Sequence, residues 1–346
     1  MITPVHIDLY SDTHTKPSAA MRDAMASARV GDEQQNADPT TNKLQEMVAE
    51  ILGKERALFL PSGTMCNAIA VRAWCEPGDE VICDVTAHII NSETGGPAAL
   101  SGVMLRPVHG NKGIFTGHNV RAALRPVKRN SPISKLVSLE NTCNFGGGTI
   151  WPVNSVADVS AAALDAGLKR HLDGARLLNA TAESGIKPSL YGEYFDSLWI
   201  DLSKGLGCPI GGVLAGNTDF IERALRFKHQ FGGAMRQSGI IAAAGIYAIE
   251  NNIGRLKEDH KNARRLARHL THIPGIVLDA NTVQTNIVFF NVQNTGHTAN
   301  QIRDNLIKRG VHIGAMGEYT MRAVTHLDIT ERMVDEAADH LATILS

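Results

Sequence analysis

Short apolar runs alternating with helical stretches predict an α/β fold, a mostly parallel sheet covered by helices, followed by a smaller α+β domain. Three observations carry this. The chain of 346 residues is 43% hydrophobic and 20% charged, which suits buried cores and argues against disorder. Glycine, at 32 residues, exceeds its usual share of ~7% and marks turns and close backbone approaches. After Met235 the texture changes, and amphipathic helices become prominent. The expected division is a large domain over 1–250, N-terminal arm included, and a small C-terminal domain over 251–346.

The elements follow in order. Thr41 to Leu52 puts Leu44, Met47, Val48 and Ile51 on one helical face and stops at Gly53. Ala57 to Leu60 reads as a buried strand, and Pro61-Ser62-Gly63-Thr64 turns it into a helix from Met65 to Trp74. Glu76-Pro77-Gly78-Asp79 is a turn feeding the strand Val81 to Asp84. Apolar runs at Leu136–Leu139, Leu168–Leu172, Ser197–Leu202 and Gly212–Ala215 supply further strands. Ser238–Glu250 and Arg255–Leu270 are helical, the second amphipathic through Leu256, Ala263, Leu266 and Leu270. Strands at Val277–Asp279 and Thr285–Asn291 come next, then a helix over Ala299–Arg309. Strand-like runs near Val311 and Arg322 and a helix over Arg332–Leu345 complete the chain.

Charge and cysteine usage narrow the function. Lys+Arg number 34 against 35 Asp+Glu, so no basic field exists to attract nucleic acid or anionic lipid. Met1 to Lys16 lacks the basic start and apolar run of a signal peptide. No apolar run approaches the ~18 residues of a membrane span, and a cytoplasmic location is expected. The five cysteines Cys66, Cys75, Cys83, Cys143 and Cys208 form no C-x-x-C pair, which argues against disulfides and a zinc knuckle. No metal site is expected.

The chemistry centres on two strand ends. Asp173 closes the run Arg170-His171-Leu172-Asp173, and ligands in open α/β sheets bind beyond the carboxyl ends of strands. Alone, such an Asp is more often a turn or a helix cap. Thirty-one residues later Lys204 follows the strand Ser197–Leu202 and precedes Gly205, where a desolvated amine suits Schiff-base chemistry. A loop cation is the commoner use of a lone lysine there. Together the two match pyridoxal phosphate, which needs a lysine for the Schiff base and an acid to keep its ring nitrogen protonated. Ser62-Gly63-Thr64, between strand and helix, suits its phosphate, although a plain N-cap is more common. Gly205-Leu206-Gly207 with Gly211 is a poor dinucleotide fingerprint, because its spacing is wrong and a strand follows.

Ordered motifs run nearly the whole chain. They include Ser11-Asp12-Thr13-His14-Thr15-Lys16-Pro17, Pro61-Ser62-Gly63-Thr64-Met65, Ala87-His88 and Glu140-Asn141-Thr142. Further on stand His171-Leu172-Asp173-Gly174-Ala175-Arg176, Leu202-Ser203-Lys204-Gly205-Leu206, Gly232-Gly233-Ala234-Met235-Arg236-Gln237 and Arg322-Ala323-Val324-Thr325-His326. As a set they resemble the L-threonine aldolases, pyridoxal-phosphate enzymes of fold type I (aspartate-aminotransferase-like). The resemblance implies pyridoxal 5′-phosphate covalently held by Lys204, with Asp173 on the ring nitrogen and His88 stacked on the ring. It implies a phosphate held by Gly63 and Thr64, with Arg176 and Arg236 also near the cofactor. Ser11, Arg176 and Arg322 would surround the substrate carboxylate. Arg236 would reach a neighbouring subunit's site in a homo-oligomer, a dimer or a tetramer built as a pair of dimers. Lys204, His88 and Asp173 are the implied catalytic set, with His88 the first candidate for the base.

The implied reaction cleaves L-threonine, L-allo-threonine or a related L-β-hydroxy-α-amino acid to glycine and an aldehyde. Departures from the family pattern bear on the aldehyde half of the substrate. Tyr10 stands where arginine is common, Val30-Gly31-Asp32 is followed by Glu33-Gln34-Gln35 without the usual tyrosine, and Cys143 replaces a histidine. The alternative is another fold-type-I reaction on a small amino acid, by a β-eliminating lyase, a transaldolase or an aminotransferase. A non-catalytic scaffold of the same fold is disfavoured, because it needs neither Lys204 nor Asp173.

Overall fold

The computed structural model describes residues 4–346; Met1 to Thr3, where the segment read for a leader begins, lie outside the described residues. Its strands are β1 (Ile7–Asp8), β2 (Arg56–Leu60), β3 (Asp79–Asp84), β4 (Met104–Val108), β5 (Ile133–Glu140) and β6 (Lys169–Asp173). They continue with β7 (Ser197–Asp201), β8 (Gly212–Gly216), β9 (Ile287–Asn291), β10 (Val311–His312), β11 (Gly314–Ala315) and β12 (Thr320–Val324). Seven of them form one sheet in the order β2-β8-β7-β6-β5-β3-β4. Pairing is parallel from β4 to β7, and β8 runs against both its neighbours. The fold is the fold-type-I α/β arrangement expected.

The reversed β8 sets the position of Lys204. β7 and β8 are antiparallel neighbours, and the ten residues between them double back beyond the carboxyl end of β7. Leu202 N–H donates to Gly211 O at 3.0 Å and Gly207 N–H to Lys204 O at 2.9 Å, so the connection is fixed by its own backbone. Asp173 ends the adjacent β6, so both residues emerge at the same sheet edge.

Local chemistry explains the helix that opens the site. Ser62 is its N-cap, with Oγ accepting from Met65 N–H at 3.2 Å, and the helix runs from Gly63 to Trp74. A Cβ on Gly63 would lie 2.3 Å from the Trp199 ring, so only glycine lets the helix start pack on that indole. The same logic holds at Gly174, where a Cβ would meet Trp199 O at 1.9 Å.

The C-terminal part builds a second core. Leu266 and Leu270 of the helix Leu256–Leu270 and Val334 and Leu341 of the helix Glu331–Leu345 are fully buried there, against the sheet β11-β12-β9. Ile7 and Leu9 of the N-terminal arm lie in this core, and β1 pairs in parallel with β10. The arm thus crosses from the large sheet's edge to the small one.

Two expected strands differ. Val277–Asp279 is no strand, only an isolated bridge from Val277 to Asn291, because Asp279 caps a short 3-10 turn through Asn281 N–H. The strand expected from Thr285 starts at Ile287, since Thr285 Oγ1 donates to Gly148 O and Asn286 Nδ2 to Asp12 Oδ2. The unforeseen β4 is an edge strand, where Pro107 is tolerated.

Candidate active site

A cavity of about 490 Å³ opens at the carboxyl ends of β5, β6 and β7. Ser11, Gly63, Thr64, His88, Asp173, Arg176, Lys204 and Arg322 all line it. The structure therefore gathers residues from both cores and the arm into one place. Arg236 is not among the lining residues; its side chain is largely exposed and pairs with Asp32 at 3.1 Å.

Lys204 Nζ rests 2.8 Å from Asp201 Oδ2 and 5.8 Å from the centre of the Trp199 ring. Its carbonyl accepts from Thr15 Oγ1 at 3.0 Å, which ties the arm to the lysine loop. The buried Asp173 accepts from Asn67 Nδ2 at 2.8 Å and from Ala175 N–H at 3.0 Å. The carboxylate is thereby held in one orientation while the cavity remains open to it.

Asn67 organises this wall. Its Nδ2 donates to Glu93 Oε1 at 2.7 Å as well as to Asp173, and its Oδ1 accepts from Trp199 Nε1 at 2.8 Å. Both acceptors of the NH₂ are carboxylates and the indole can only donate, so the amide has a single consistent orientation. His171 adds a fourth contact at 3.2 Å through Nε2. Burial pulls His171 down to about 4, which keeps it neutral and makes it part of the scaffold.

His88 Nδ1 lies 2.8 Å from the same Glu93 Oε1. Facing a carboxylate, Nδ1 carries the proton, and Nε2 is left as the basic nitrogen. Burial alone would lower His88, but the Glu93 hydrogen bond and the negative charge of Asp173 raise it. Beside His88, Glu140 accepts from the backbone N–H of His88 at 2.8 Å and of Asn144 at 2.7 Å. Burial, with Asp173 nearby, pushes Glu140 up to about 7.

The two arginines are held differently. Arg176 is locked on Asp12, whereas Arg322 donates through Nη1 to Asn144 Oδ1 at 3.0 Å and through Nη2 to Tyr10 O at 3.3 Å. Arg322 Nε is buried without a hydrogen-bond partner. Burial and the charge of Arg176 depress its guanidinium, so an incoming anion is well matched to it.

Pyridoxal phosphate fits this donor set. The cavity holds an amine at Lys204, a fixed carboxylate at Asp173 and the start of a twelve-residue helix at Gly63 and Thr64, whose first N–H groups lack intrahelical acceptors. Sequence reasoning missed Asn67, Glu93 and Asn144. Asn67 had a signal: it is one polar residue in the apolar stretch Met65 to Val71, four residues after Gly63 and so on the helix face that starts at the cavity. Glu93 follows His88 by five residues in a short irregular segment, where spacing says little.

Comparison with known proteins gives the wider setting. The beta-eliminating lyase family profile matches residues 8–294. The chain is similar to the low specificity L-threonine aldolase of Escherichia coli (strain K12), 40% identical over 341 residues, 98% of this chain and 99% of that protein. It is similar to low-specificity L-threonine aldolase 1 of Arabidopsis thaliana, 38% identical over 329 residues, 94% of this chain and 92% of that one. A threonine aldolase structure from Leishmania major matches with a TM-score of 0.83 at 22% identity, covering 98% of this chain and 100% of that one, a likeness of fold.

Proposed function

The chain belongs to the beta-eliminating lyase family and, within it, to the low-specificity L-threonine aldolases, and from that premise we propose what each site residue does. The protein is a pyridoxal-phosphate-dependent lyase that cleaves L-threonine, and related L-β-hydroxy-α-amino acids, to glycine and an aldehyde. The observation that carries the residue assignments is the convergence of Lys204, Asp173, the Gly63–Thr64 helix start and Arg322 on one cavity.

Bound there, the cofactor supplies an electron sink for the Cα–Cβ bond that breaks. Lys204 would hold it covalently, Asp173 would keep its ring nitrogen protonated, and Gly63 and Thr64 would hold its phosphate. Arg322 binds the substrate carboxylate; the planar guanidinium has a donor to spare for it, while Asn144 and the Tyr10 carbonyl keep its plane fixed. Ser11, lining the same wall, is placed to hydrogen-bond that carboxylate. His88 receives the proton of the β-hydroxyl at Nε2, and Glu93 stabilises the imidazolium that results. Arg176 positions Asp12 and the arm that bears Ser11.

The Asp32 pair leaves most of the Arg236 side chain accessible, which supports a role at a neighbouring subunit's site in a homo-oligomer. The division at residue 250 keeps the lysine-bearing sheet in one domain, with the arm fastened to the other. No helix among the described residues is long and apolar enough to cross a membrane. Five buried free thiols suit a cytoplasmic setting.

The test is borohydride reduction of the purified yellow protein followed by peptide mapping, with glycine and aldehyde measured from L-threonine and L-allo-threonine. A label on Lys204 and glycine release are expected. A label on another lysine would overturn the site assignment, and a keto acid with ammonia in place of glycine would favour a β-eliminating lyase.

A further inference from the structure

We infer that Asp8, His14 and His312 form a binding site for a transition-metal ion of the Zn²⁺ class, which fastens the N-terminal arm to the C-terminal lobe beside the active cavity. Each residue offers one ligand atom, and the three lie within 4.8 Å of one another. Two elements bring them together. Asp8 and His312 are register partners in the parallel pair β1–β10, and His14 ends the short 3-10 turn that follows the arm's strand.

Both imidazoles present Nδ1 to the same carboxylate. His14 Nδ1 lies 2.8 Å from Asp8 Oδ2 and His312 Nδ1 lies 3.6 Å from Asp8 Oδ1. The Tyr10 ring stacks on both, with centroids 5.1 Å from His14 and 4.7 Å from His312, and Tyr10 N–H donates to Asp8 Oδ1 at 3.0 Å. The arrangement thus fixes ring planes and one carboxylate oxygen, as orienting contacts around a metal do. Two imidazoles and a carboxylate select Zn²⁺, Co²⁺, Ni²⁺ or Cu²⁺ over Mg²⁺ and Ca²⁺, which prefer all-oxygen sites. Ligand bonds of ~2.0–2.2 Å require the three atoms to close slightly around the ion. The part-exposed side chains leave room for that movement and for water in the remaining position. Arg303, whose positive charge is felt at His312, is held by Asp304 and Asn300.

Cysteine spacing gave no reason to expect a metal, and ligands at positions 8, 14 and 312 have no spacing to read. The consequence is local. Asp8 and His14 bracket Tyr10, Ser11 and Thr13, which line the cavity, and the Tyr10 carbonyl accepts from Arg322. An ion here stiffens that wall without touching the reaction.

The experiment uses holoenzyme dialysed against chelator and then titrated with Zn²⁺ in a calorimeter and with Co²⁺ by visible absorption. One high-affinity ion per chain is expected, with a rise in Tm. His14→Ala and His312→Ala should each weaken binding by at least the ~10–100-fold that loss of an orienting partner costs, and abolish the rise in Tm. His14 is exposed, so its variant should keep the fold and the metal-free activity. His88, Glu93 and Asp173 also have metal-ligand spacing. Binding that survives His14→Ala but disappears in His88→Ala would overturn the proposal, as would no binding at all.

Discussion

Arg176 closes its guanidinium onto Asp12 with two parallel bonds, Nε to Oδ2 at 2.7 Å and Nη2 to Oδ1 at 2.6 Å, and both side chains are buried. Burial alone would raise the Asp12 carboxyl, but the charge and hydrogen bonds of Arg176 hold it well below the usual carboxylate range. Asn286 Nδ2 adds a third bond at 3.0 Å from the other lobe. This pair joins the arm, the large sheet and the small sheet at one point. Removing one partner leaves a buried charge without compensation, at a cost of roughly 3–5 kcal/mol. Asp12→Asn is therefore expected to lower the denaturation midpoint at neutral pH. Asp12 is depressed in the fold, so its contribution is present above its unfolded value and fades as pH falls. The variant should lose most near pH 7 and less in acid. An unchanged urea midpoint at pH 7 would contradict the structural role.

Arg322 behaves as the opposite case. Its Nε is unpartnered and its remaining bonds go to neutral acceptors, so its charge has no carboxylate partner in the protein, as the proposed role at the substrate carboxylate requires. In Arg322→Lys the charge stays but the two-point grip is lost. Truncating one partner of a buried charged pair costs about 2–5 kcal/mol, and the lower end, roughly 30-fold in kcat/KM, is expected here. Cofactor absorbance and Tm should hold. Normal kinetics would move the carboxylate site elsewhere.

Lys204→Ala should abolish turnover and leave the fold intact. The loop is fixed through bonds from Gly207 N–H and the Thr15 hydroxyl to the Lys204 carbonyl, neither of which needs the Lys204 side chain. Circular dichroism and glycine release check both halves. Retained turnover near the wild-type rate would mean that another lysine carries the cofactor.

The sheet was legible because its strands are continuous apolar runs ended by turn residues: Leu168 to Leu172 and Ser197 to Leu202 read directly, and with them the positions of Asp173 and Lys204. β4 hid behind Pro107, and Val277 to Asp279 imitated a strand whose Asp was a cap. The residues proposed to hold the cofactor were legible because each sits at a strand end or helix start. Asn67 and Asn144 were not, because their contacts with Glu93, Asp173 and Arg322 join segments 26 to 178 residues apart, and Glu93 was not, because it sits just past a four-residue helix where its spacing from His88 says little. Arg176 and Arg322 looked alike in sequence, and only Asp12 on one and an unpartnered Nε on the other separate them.

Glu93→Gln tests the base assignment through its pH dependence. In the native protein burial opposes the charged imidazole of His88, yet the hydrogen bond to Glu93 and the charge of Asp173 raise it from the ordinary histidine value. A base works only when neutral, so the acid limb of kcat/KM should lie above the ~6.5 of an unperturbed imidazole. Glutamine keeps an acceptor for Nδ1–H but removes the negative charge, so His88 should titrate lower and the limb should move towards acid. The plateau should fall as well, since a less basic Nε2 accepts the β-hydroxyl proton less readily. Stability carries the same sign. A histidine raised in the fold contributes stability below its unfolded value, and that contribution is lost as pH rises through the folded one. The gap in urea midpoint between wild type and variant should therefore be widest below the ordinary histidine value and narrow as pH rises above it. A purely structural Glu93 would lower stability evenly and leave the limb where it was. An unmoved limb, with kcat/KM reduced by the same factor at every pH, would remove His88 from the role of base.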